Sequence, residues 1–307
     1  MGNNFNDFKL TRTEDRELKE EIIRIVREHA PITVRGVYYQ CVISPKVPFL
    51  SKDSSGSKRN YVLVQARLKR LRKIRVIPWG AVIDPSRPTY ARHRWSSLEQ
   101  FAHDVPSFYS HDVWANSSVR PLVLLEKEGQ IPVYEQHAAK YGVDVWACKG
   151  YSSMSHMQAL SQHIRSLQQN VVVLVCADWD PSGCDWPRAA EKEIETNLWE
   201  HDQQVEFRRV LVNETDLGVL RESVALRIPN PNDPRTANWL TNNGYSENEE
   251  IVVEMDALAP NVARERMQKI YEGMRKAEDP SWDLSKDSAH LTQQRERISE
   301  VLSLLRS

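Results

Sequence analysis

The chain has 307 residues, of which 40% are hydrophobic and 27% charged, so it suits one large domain or two ordinary ones with buried cores. Its formal net charge of −1 excludes a uniformly basic nucleic-acid binder, and no apolar run approaches the roughly 20 residues that cross a bilayer. The four cysteines show no paired spacing and the first residues lack a signal-peptide pattern, which together predict a cytoplasmic protein with reduced thiols.

Charge is distributed unevenly along the chain. Residues 1–100 contain 20 Lys and Arg against 10 Asp and Glu, whereas residues 101–307 contain 21 against 32. Such an asymmetry predicts an N-terminal part that binds a polyanion and an acidic remainder.

The first predicted elements are three helices. Leu18, Ile22 and Val26 recur at helical spacing in the first, and Thr33 is placed to cap the second, "VRGVYYQCVI". The third, "RNYVLVQARLKRLRK", has an apolar set that we expect to face inward: Val62, Ala66, Leu68 and Leu71. A short strand pair is predicted in "IRVIPWGAVIDPSR". This order is typical of a winged helix-turn-helix module, predicted here to span residues 1–95.

The third helix and its end are rich in bases. Eight bases and no acid occur in this stretch: Lys58, Arg59, Arg67, Lys69, Arg70, Arg72, Lys73 and Arg75. A run of like charges is commonly just a solvated surface, but this helix is where a helix-turn-helix contacts DNA. The pattern therefore predicts salt-sensitive binding to double-stranded DNA, dominated by phosphate contacts.

Strands and helices alternate from Arg120 onward. The apolar runs "PLVLLEK", "VDVWACKG", "NVVVLVCADWD" and "VEFRRVLVN" predict strands, with helical segments between them. Alternation of this kind is typical of an α/β fold whose parallel sheet is covered on both faces. We expect an irregular linker at 96–118, a sheet domain at 119–215, and an extension at 216–307. The extension is predicted to contain a strand in "IVVEMDAL" and two C-terminal helices.

Acidic residues end two of these strands. Glu126 ends the first, and Asp178 and Asp180 end "VVVLVCADWD". Because the carboxyl ends of parallel strands lie at one edge of a sheet, neighbouring strands would bring these carboxylates together. Carboxylate oxygens suit a hard divalent cation such as Mg²⁺. Turn formation or helix capping is the simpler explanation for each acid taken singly.

The acids belong to a motif that resembles a Toprim domain, the metal-binding fold of topoisomerases, primases and some nucleases. Strand-Glu-Lys, then "KGY", then "DWDPSG" is similar to the version in type IIB topoisomerase A subunits and the related meiotic double-strand-break protein. The resemblance implies Mg²⁺, or Mn²⁺, held by Glu126, Asp178 and Asp180, with Asp185 as an additional candidate ligand. The set of metal ligands that the resemblance implies does not require the acids of "EMDAL".

A second motif is similar to one in the same family. "TVRGVYYQ" resembles the Thr-x-Arg-x-aliphatic-Tyr-Tyr sequence on the second helix of the family's winged-helix domain. The resemblance implies that Tyr39 is the nucleophile, and Arg35, one helical turn earlier on the same face, is placed to hold the scissile phosphate. The alternative role for both tyrosines is packing, which we assign to Tyr38. Gly36 departs from the family, which usually has an acid there.

Taken together, the motifs resemble those of short, free-standing A-type proteins of phages or plasmids. The implied fold is a winged helix-turn-helix followed by a Toprim domain, a Rossmann-like parallel sheet, with a C-terminal helical extension. The implied reaction is Mg²⁺-dependent DNA cleavage and rejoining through a tyrosyl–DNA phosphodiester.

The implied partners are double-stranded DNA, a second copy whose metal faces Tyr39, and a separate GHKL-type ATPase subunit. No membrane is involved, and the expected location is cytoplasmic, on the nucleoid. Two alternatives stay open: a Toprim nuclease that uses water instead of Tyr39, and a non-catalytic DNA-binding protein.

Overall fold

A computed structural model describes residues 10–50, 57–83, 94–148, 154–198, 202–222 and 226–304. Over these residues the chain is a mixed α/β protein with parallel sheets, as the sequence predicts. No helix among the described residues is long and apolar enough to cross a membrane. None of the four cysteines, all of which lie among the described residues, forms a disulfide.

The N-terminal part contains three helices: α1 (Arg12–His29), α2 (Val34–Ile43) and α3 (Ser57–Lys73). The predicted cap of α2 is confirmed, because the Thr33 hydroxyl accepts a hydrogen bond from the Gly36 amide at 2.9 Å. The inward face of α3 differs from the prediction. Val62 is 52% exposed and Ala66 is also exposed, whereas Val64, Leu68 and Leu71 are buried.

The predicted strand pair after α3 is only partly found. Residues Trp79–Ala81 form a 3₁₀ turn, and the strand β2 (Val82–Ile83) pairs in parallel with β1 (Ile32–Thr33), which immediately precedes α2. The pairing partner therefore comes from before the second helix and not from the adjacent segment. The far side of the predicted wing, from residue 84, lies outside the described residues.

The segment expected to be an irregular linker contains a helix, α4 (Leu98–Phe108), capped by Ser97. It lies beside the last helix of the chain, α11 (Leu284–Leu304), whose Arg295 donates to the carbonyls of Ser107 and Tyr109 at 3.2 and 2.9 Å. Long-range packing thus orders this stretch.

The central sheet has four strands: β3 (Val119–Leu125), β4 (Asp144–Ala147), β5 (Asn170–Cys176) and β6 (Val205–Leu211). All pair in parallel in the order β4-β3-β5-β6. The helices between them are α5 (Ile131–Ala139), α6 (Met154–Leu167) and α7 (Pro181–Leu198). The register pairs Leu125 with Cys176, so the residues that follow β3 and β5 lie side by side at one edge.

The C-terminal part adds α8 (Asp216–Glu222), α9 (Thr236–Asn243), α10 (Pro260–Glu278) and α11. The two predicted C-terminal helices are confirmed. The predicted strand in "IVVEMDAL" is replaced by isolated bridges and a 3₁₀ turn at Met255–Ala257. Val253 pairs antiparallel with Trp179, exchanging hydrogen bonds of 2.9 and 3.1 Å. This pairing lays residues 252–257 across the carboxyl edge of the sheet.

Candidate active site

The three acids singled out by the sequence lie together at the carboxyl edge of β3 and β5. A Glu126 carboxylate oxygen accepts the Asp178 amide at 2.8 Å, and Asp180 accepts the amide of Gly183 at 2.6 Å. Gly183 is required for this approach: a Cβ there would lie 2.2 Å from the Asp178 carbonyl oxygen and 3.1 Å from Glu126 Oε2. The Pro-x-Gly of the motif therefore allows α7 to start against the acids.

Lys127 lies at the centre of a wider set of acids. Its Nζ is 2.7 Å from Asp178 Oδ2, 3.4 Å from Glu254 Oε2 and 3.7 Å from Asp256 Oδ2. Glu254 and Asp256 come from the segment that crosses the sheet edge, and the sequence reasoning left them out. The signal was present in the sequence, since Glu254 and Asp256 follow an apolar run one residue apart, as Asp178 and Asp180 do.

Asp256 is almost completely buried between the two parts of the chain. Its Oδ1 accepts hydrogen bonds from Gln130 at 2.6 Å and from the Thr33 hydroxyl at 3.1 Å. Its Oδ2 is buried with no hydrogen-bond partner among the described residues, and burial raises the pKa of this carboxyl group. The same hydroxyl that caps α2 thus fixes that helix to the acid cluster.

The acids differ in how readily they ionise. Burial, followed by the nearby charge of Asp178, raises the pKa of Glu126 to about 7, and burial also raises the pKa of Asp180. Burial acts in the same direction on Glu254, but the charges of Lys127, Arg35 and Arg227 outweigh it and lower the pKa to about 2. The surrounding cations therefore hold Glu254 in its ionised form, whereas burial favours the protonated forms of Glu126 and Asp180.

The tyrosine helix contacts this cluster within one chain. Arg35 pairs with Glu254, and its guanidinium lies 5.8 Å from the centre of the Tyr39 ring. Gln40 donates to the carbonyl of Ala257 at 3.0 Å, so α2 packs on the crossing segment. Gly36 has no room for a side chain, because a Cβ would lie 2.8 Å from Ile32 Cγ1. Packing here therefore disfavours any side chain at this position, an acidic one included.

Tyr38 and Tyr39 are both buried. The Tyr38 ring packs edge-on against Tyr61 and Tyr39, as expected for a core residue. Tyr39 is only 6% exposed. Burial first, and then the charge of Glu254, raises the pKa of Tyr39 to about 12, although Arg227 and Arg35 act in the opposite direction. In this conformation the phenol is a poor nucleophile near neutral pH.

The bases of α3 and its end fall into two groups. Arg67 pairs with Asp15 at 2.9 Å, and Arg72 donates to the carbonyls of Trp79 and Val82 while stacking on the Trp79 ring. These two arginines hold the module together. The remaining six are exposed at the surface: Lys58, Arg59, Lys69, Arg70, Lys73 and Arg75.

Asp185, the additional candidate ligand, is paired within its own helix. Asp185 lies on α7, where its carboxylate accepts hydrogen bonds from Arg188 at 3.0 and 2.8 Å. The "KGY" motif, residues 149–151, lies outside the described residues. The Toprim resemblance therefore rests on the two strand-end motifs alone in the described structure.

The oxygen donors suit Mg²⁺, but their arrangement is not that of an assembled metal site. Among the described residues, no group of three or more His, Cys, Asp or Glu is placed to hold an ion. In the described cluster Asp178, Glu254 and Asp256 have cation partners from among Lys127, Arg35 and Arg227, whereas the cited contacts of Glu126 and Asp180 are with backbone amides. The two carboxylates held by backbone amides, together with the Asp256 Oδ2 that accepts no hydrogen bond, fit a divalent cation.

No family model, no curated protein and no solved structure matches the chain. The resemblance to type IIB topoisomerase A subunits therefore stays a prediction that rests on the two motifs and their order along the chain.

Proposed function

We propose that this protein cleaves double-stranded DNA through Tyr39, with the acids at the carboxyl edge of the sheet supporting the reaction. The observation that carries the proposal is the continuous ionic path from the tyrosine helix to the strand-end acids. Arg35 pairs with Glu254, Glu254 lies 3.4 Å from Lys127 Nζ, and Lys127 pairs with Asp178 at 2.7 Å. Two motifs distant in the sequence thus meet at one polar site.

In the proposed reaction the Tyr39 hydroxyl oxygen attacks a backbone phosphorus, and the bond from that phosphorus to a sugar oxygen breaks. The phenol loses its proton and the departing sugar oxygen gains one, so a phosphotyrosyl bond replaces the broken ester and the strand can be resealed. The guanidinium of Arg35, one helical turn from Tyr39, is placed to neutralise the phosphate. Mg²⁺ held by Glu126, Asp178 and Asp180 would supply further stabilisation of phosphate charge.

The proposed DNA surface is the exposed basic face of α3. Five exposed bases on α3 and Arg75 just after it carry one sign of charge, and the helix belongs to the same module as Tyr39. Phosphate contacts by such a face steer the duplex without reading its sequence. The duplex would then run from α3 toward α2.

A nuclease that uses water is the second candidate, and the burial of Tyr39 favours it. A phenol that is 6% exposed, with a pKa of about 12, must be uncovered before it can attack DNA. Water has no such requirement, and the strand-end acids would act on it in the same place.

Cleavage of supercoiled plasmid separates these candidates. Samples with Mg²⁺ or Mn²⁺ are stopped with detergent and run with and without protease treatment. The proposal predicts nicked or linear DNA that enters the gel normally only after protease treatment, and no cleavage by Tyr39→Phe or Asp178→Asn. Free ends, and cutting by Tyr39→Phe at the wild-type rate, would identify the water-dependent nuclease. Binding without cleavage under any condition would reject both.

A further inference from the structure

Two arginines share the carboxylate of Glu254 beside Tyr39. Arg35 contacts Oε2 and Arg227 contacts Oε1, so each guanidinium binds one oxygen of the same carboxylate. Arg35 comes from α2. Arg227 is held by its bridge to Val252, where its amide donates to the Val252 carbonyl at 2.8 Å. The two cations therefore reach Glu254 from different parts of the fold.

This arrangement has the form of a phosphate site. A phosphodiester presents two charged oxygens on one atom, as a carboxylate does, and paired guanidinium groups are a common way to bind both. The Glu254 side chain is only 9% exposed, whereas the side chains of Arg35 and Arg227 are 50% and 47% exposed. The arginines thus have an open side from which an anion can approach, while Glu254 lies on their closed side.

The pair also lies next to the proposed nucleophile. The positive charges of Arg227 and Arg35 lower the pKa of Tyr39, and the negative charge of Glu254 raises it. The Arg35 guanidinium lies 5.8 Å from the centre of the Tyr39 ring, so an anion bound by both arginines would lie near this tyrosine. Glu254 has a third cation, Lys127, 3.4 Å away, so it keeps a partner if the arginines turn to another anion.

We propose that Arg35 and Arg227 together bind one phosphate of the DNA backbone, and that Glu254 occupies this site in the absence of DNA. Arg227 is then a further substrate-contacting residue, and Glu254 is an intramolecular competitor that DNA displaces. The inference rests on the proposed function, since it takes the phosphate next to Tyr39 to be the one that reacts.

Equilibrium binding of a short labelled duplex, measured without divalent cations over a range of salt concentrations, tests the inference. Arg227→Gln is expected to weaken binding about tenfold and to reduce the slope of log affinity against log salt by about one, the loss of one phosphate contact. Arg208→Gln is the matched control. Arg208 is 48% exposed and pairs with Glu206 on β6, so the same change at a similar ion pair should leave binding within about twofold.

Competition by Glu254 is tested with a double-mutant cycle. Glu254→Gln should tighten duplex binding severalfold because it keeps the shape but removes the competing charge. That gain should largely disappear in the Arg227→Gln background. Equal gains in both backgrounds would refute the competition. Arg227→Lys keeps the positive charge but loses the planar guanidinium group that can bind two oxygens. Its affinity for the duplex should therefore lie between those of wild type and Arg227→Gln.

The outcomes distinguish the inference from the proposed function. If Arg227→Gln binds and cleaves DNA as Arg208→Gln does, while cleavage still depends on Tyr39, the inference fails and the proposed function stands. If Arg227→Gln loses binding as described but no protein cleaves DNA, the phosphate site stands and the proposed function fails. Thermal unfolding of each variant identifies misfolding. If Arg227→Gln misfolds, the duplex affinity of Arg227→Lys compared with wild type decides whether the inference stands.

Discussion

Replacing Lys127 with methionine removes the cation that three acids share. Methionine keeps an unbranched stem in the same space, so the change removes charge with little loss of packing. Asp178, Glu254 and Asp256 all lose a partner, although Asp178 still accepts the Met255 amide at 2.8 Å and Glu254 keeps its two arginines.

Removing one partner of a buried ion pair costs about 3–5 kcal/mol, and the retained partners favour the lower end, about 3 kcal/mol. At about 2–4 °C per kcal/mol for a chain of this size, the midpoint of thermal unfolding should fall by about 6–12 °C. The loss should be larger at about pH 8 than at about pH 5, because protonation relieves carboxylates that have lost their cation.

Differential scanning calorimetry at both pH values measures the effect, with Lys140→Met as the matched control. Lys140 is exposed just after α5, and its replacement should change stability by less than about 0.5 kcal/mol. Mg²⁺ should stabilise Lys127→Met more than wild type, since the acids then lack their internal cation. The reasoning would be refuted if Lys127→Met lost no more stability than Lys140→Met, or if it lost more stability at about pH 5 than at about pH 8.

Three further changes test the site and the DNA surface. Gly36→Ala should destabilise the protein by about 1–3 kcal/mol, because the new Cβ clashes with Ile32 of the preceding strand. Gly273→Ala on α10 is the control: its Cβ meets nothing within 4 Å, so it should stabilise the protein by about 0.5–1 kcal/mol. Urea unfolding measures both changes. Arg70→Glu should weaken duplex binding and reduce the slope of log affinity against log salt concentration. Lys276 is an exposed base on α10, and Lys276→Glu should change neither quantity. Equal effects of the two changes would contradict the proposal that α3 binds DNA. The pKa of Glu254, about 2 against an ordinary 4.5, means that its ion pairs stabilise the fold fully above about pH 4.5 and less as the pH falls toward 2. Glu254→Gln should therefore flatten the acid limb of the stability profile, and an unchanged limb would show that other groups control it.

The sheet and its acids could be predicted because their signals are local. β3 and β5 are runs of seven residues that are almost wholly buried, and all but Arg120 in β3 and Asn170 in β5 are apolar. Glu126 follows β3 directly and Asp178 follows β5 after one alanine, so the two acids meet at one edge if the strands are neighbours. The cap at Thr33 is equally local, because a hydroxyl and an amide three residues apart suffice to form it.

The acids of "EMDAL" have a local signal, but their place in the site could not be predicted because it depends on pairing between distant segments. Glu254 and Asp256 reach the cluster only because Val253 pairs with Trp179 across the sheet edge. Without that bridge, "EMDAL" has the pattern of an ordinary strand end. The helix α4 was missed for a different reason: Ser97 caps it, but Pro106 lies within it and the surrounding prolines favour a loop.

Mass spectrometry of the protein after reaction with duplex DNA tests the central claim most directly. The reaction is stopped with denaturant, and the DNA and protein are digested before the peptides are mapped. We predict a nucleotide joined through phosphate to Tyr39, present with Mg²⁺ or Mn²⁺ and absent in Asp178→Asn. Cleaved DNA with an unmodified Tyr39, or equal cleavage by Tyr39→Phe, would contradict the account.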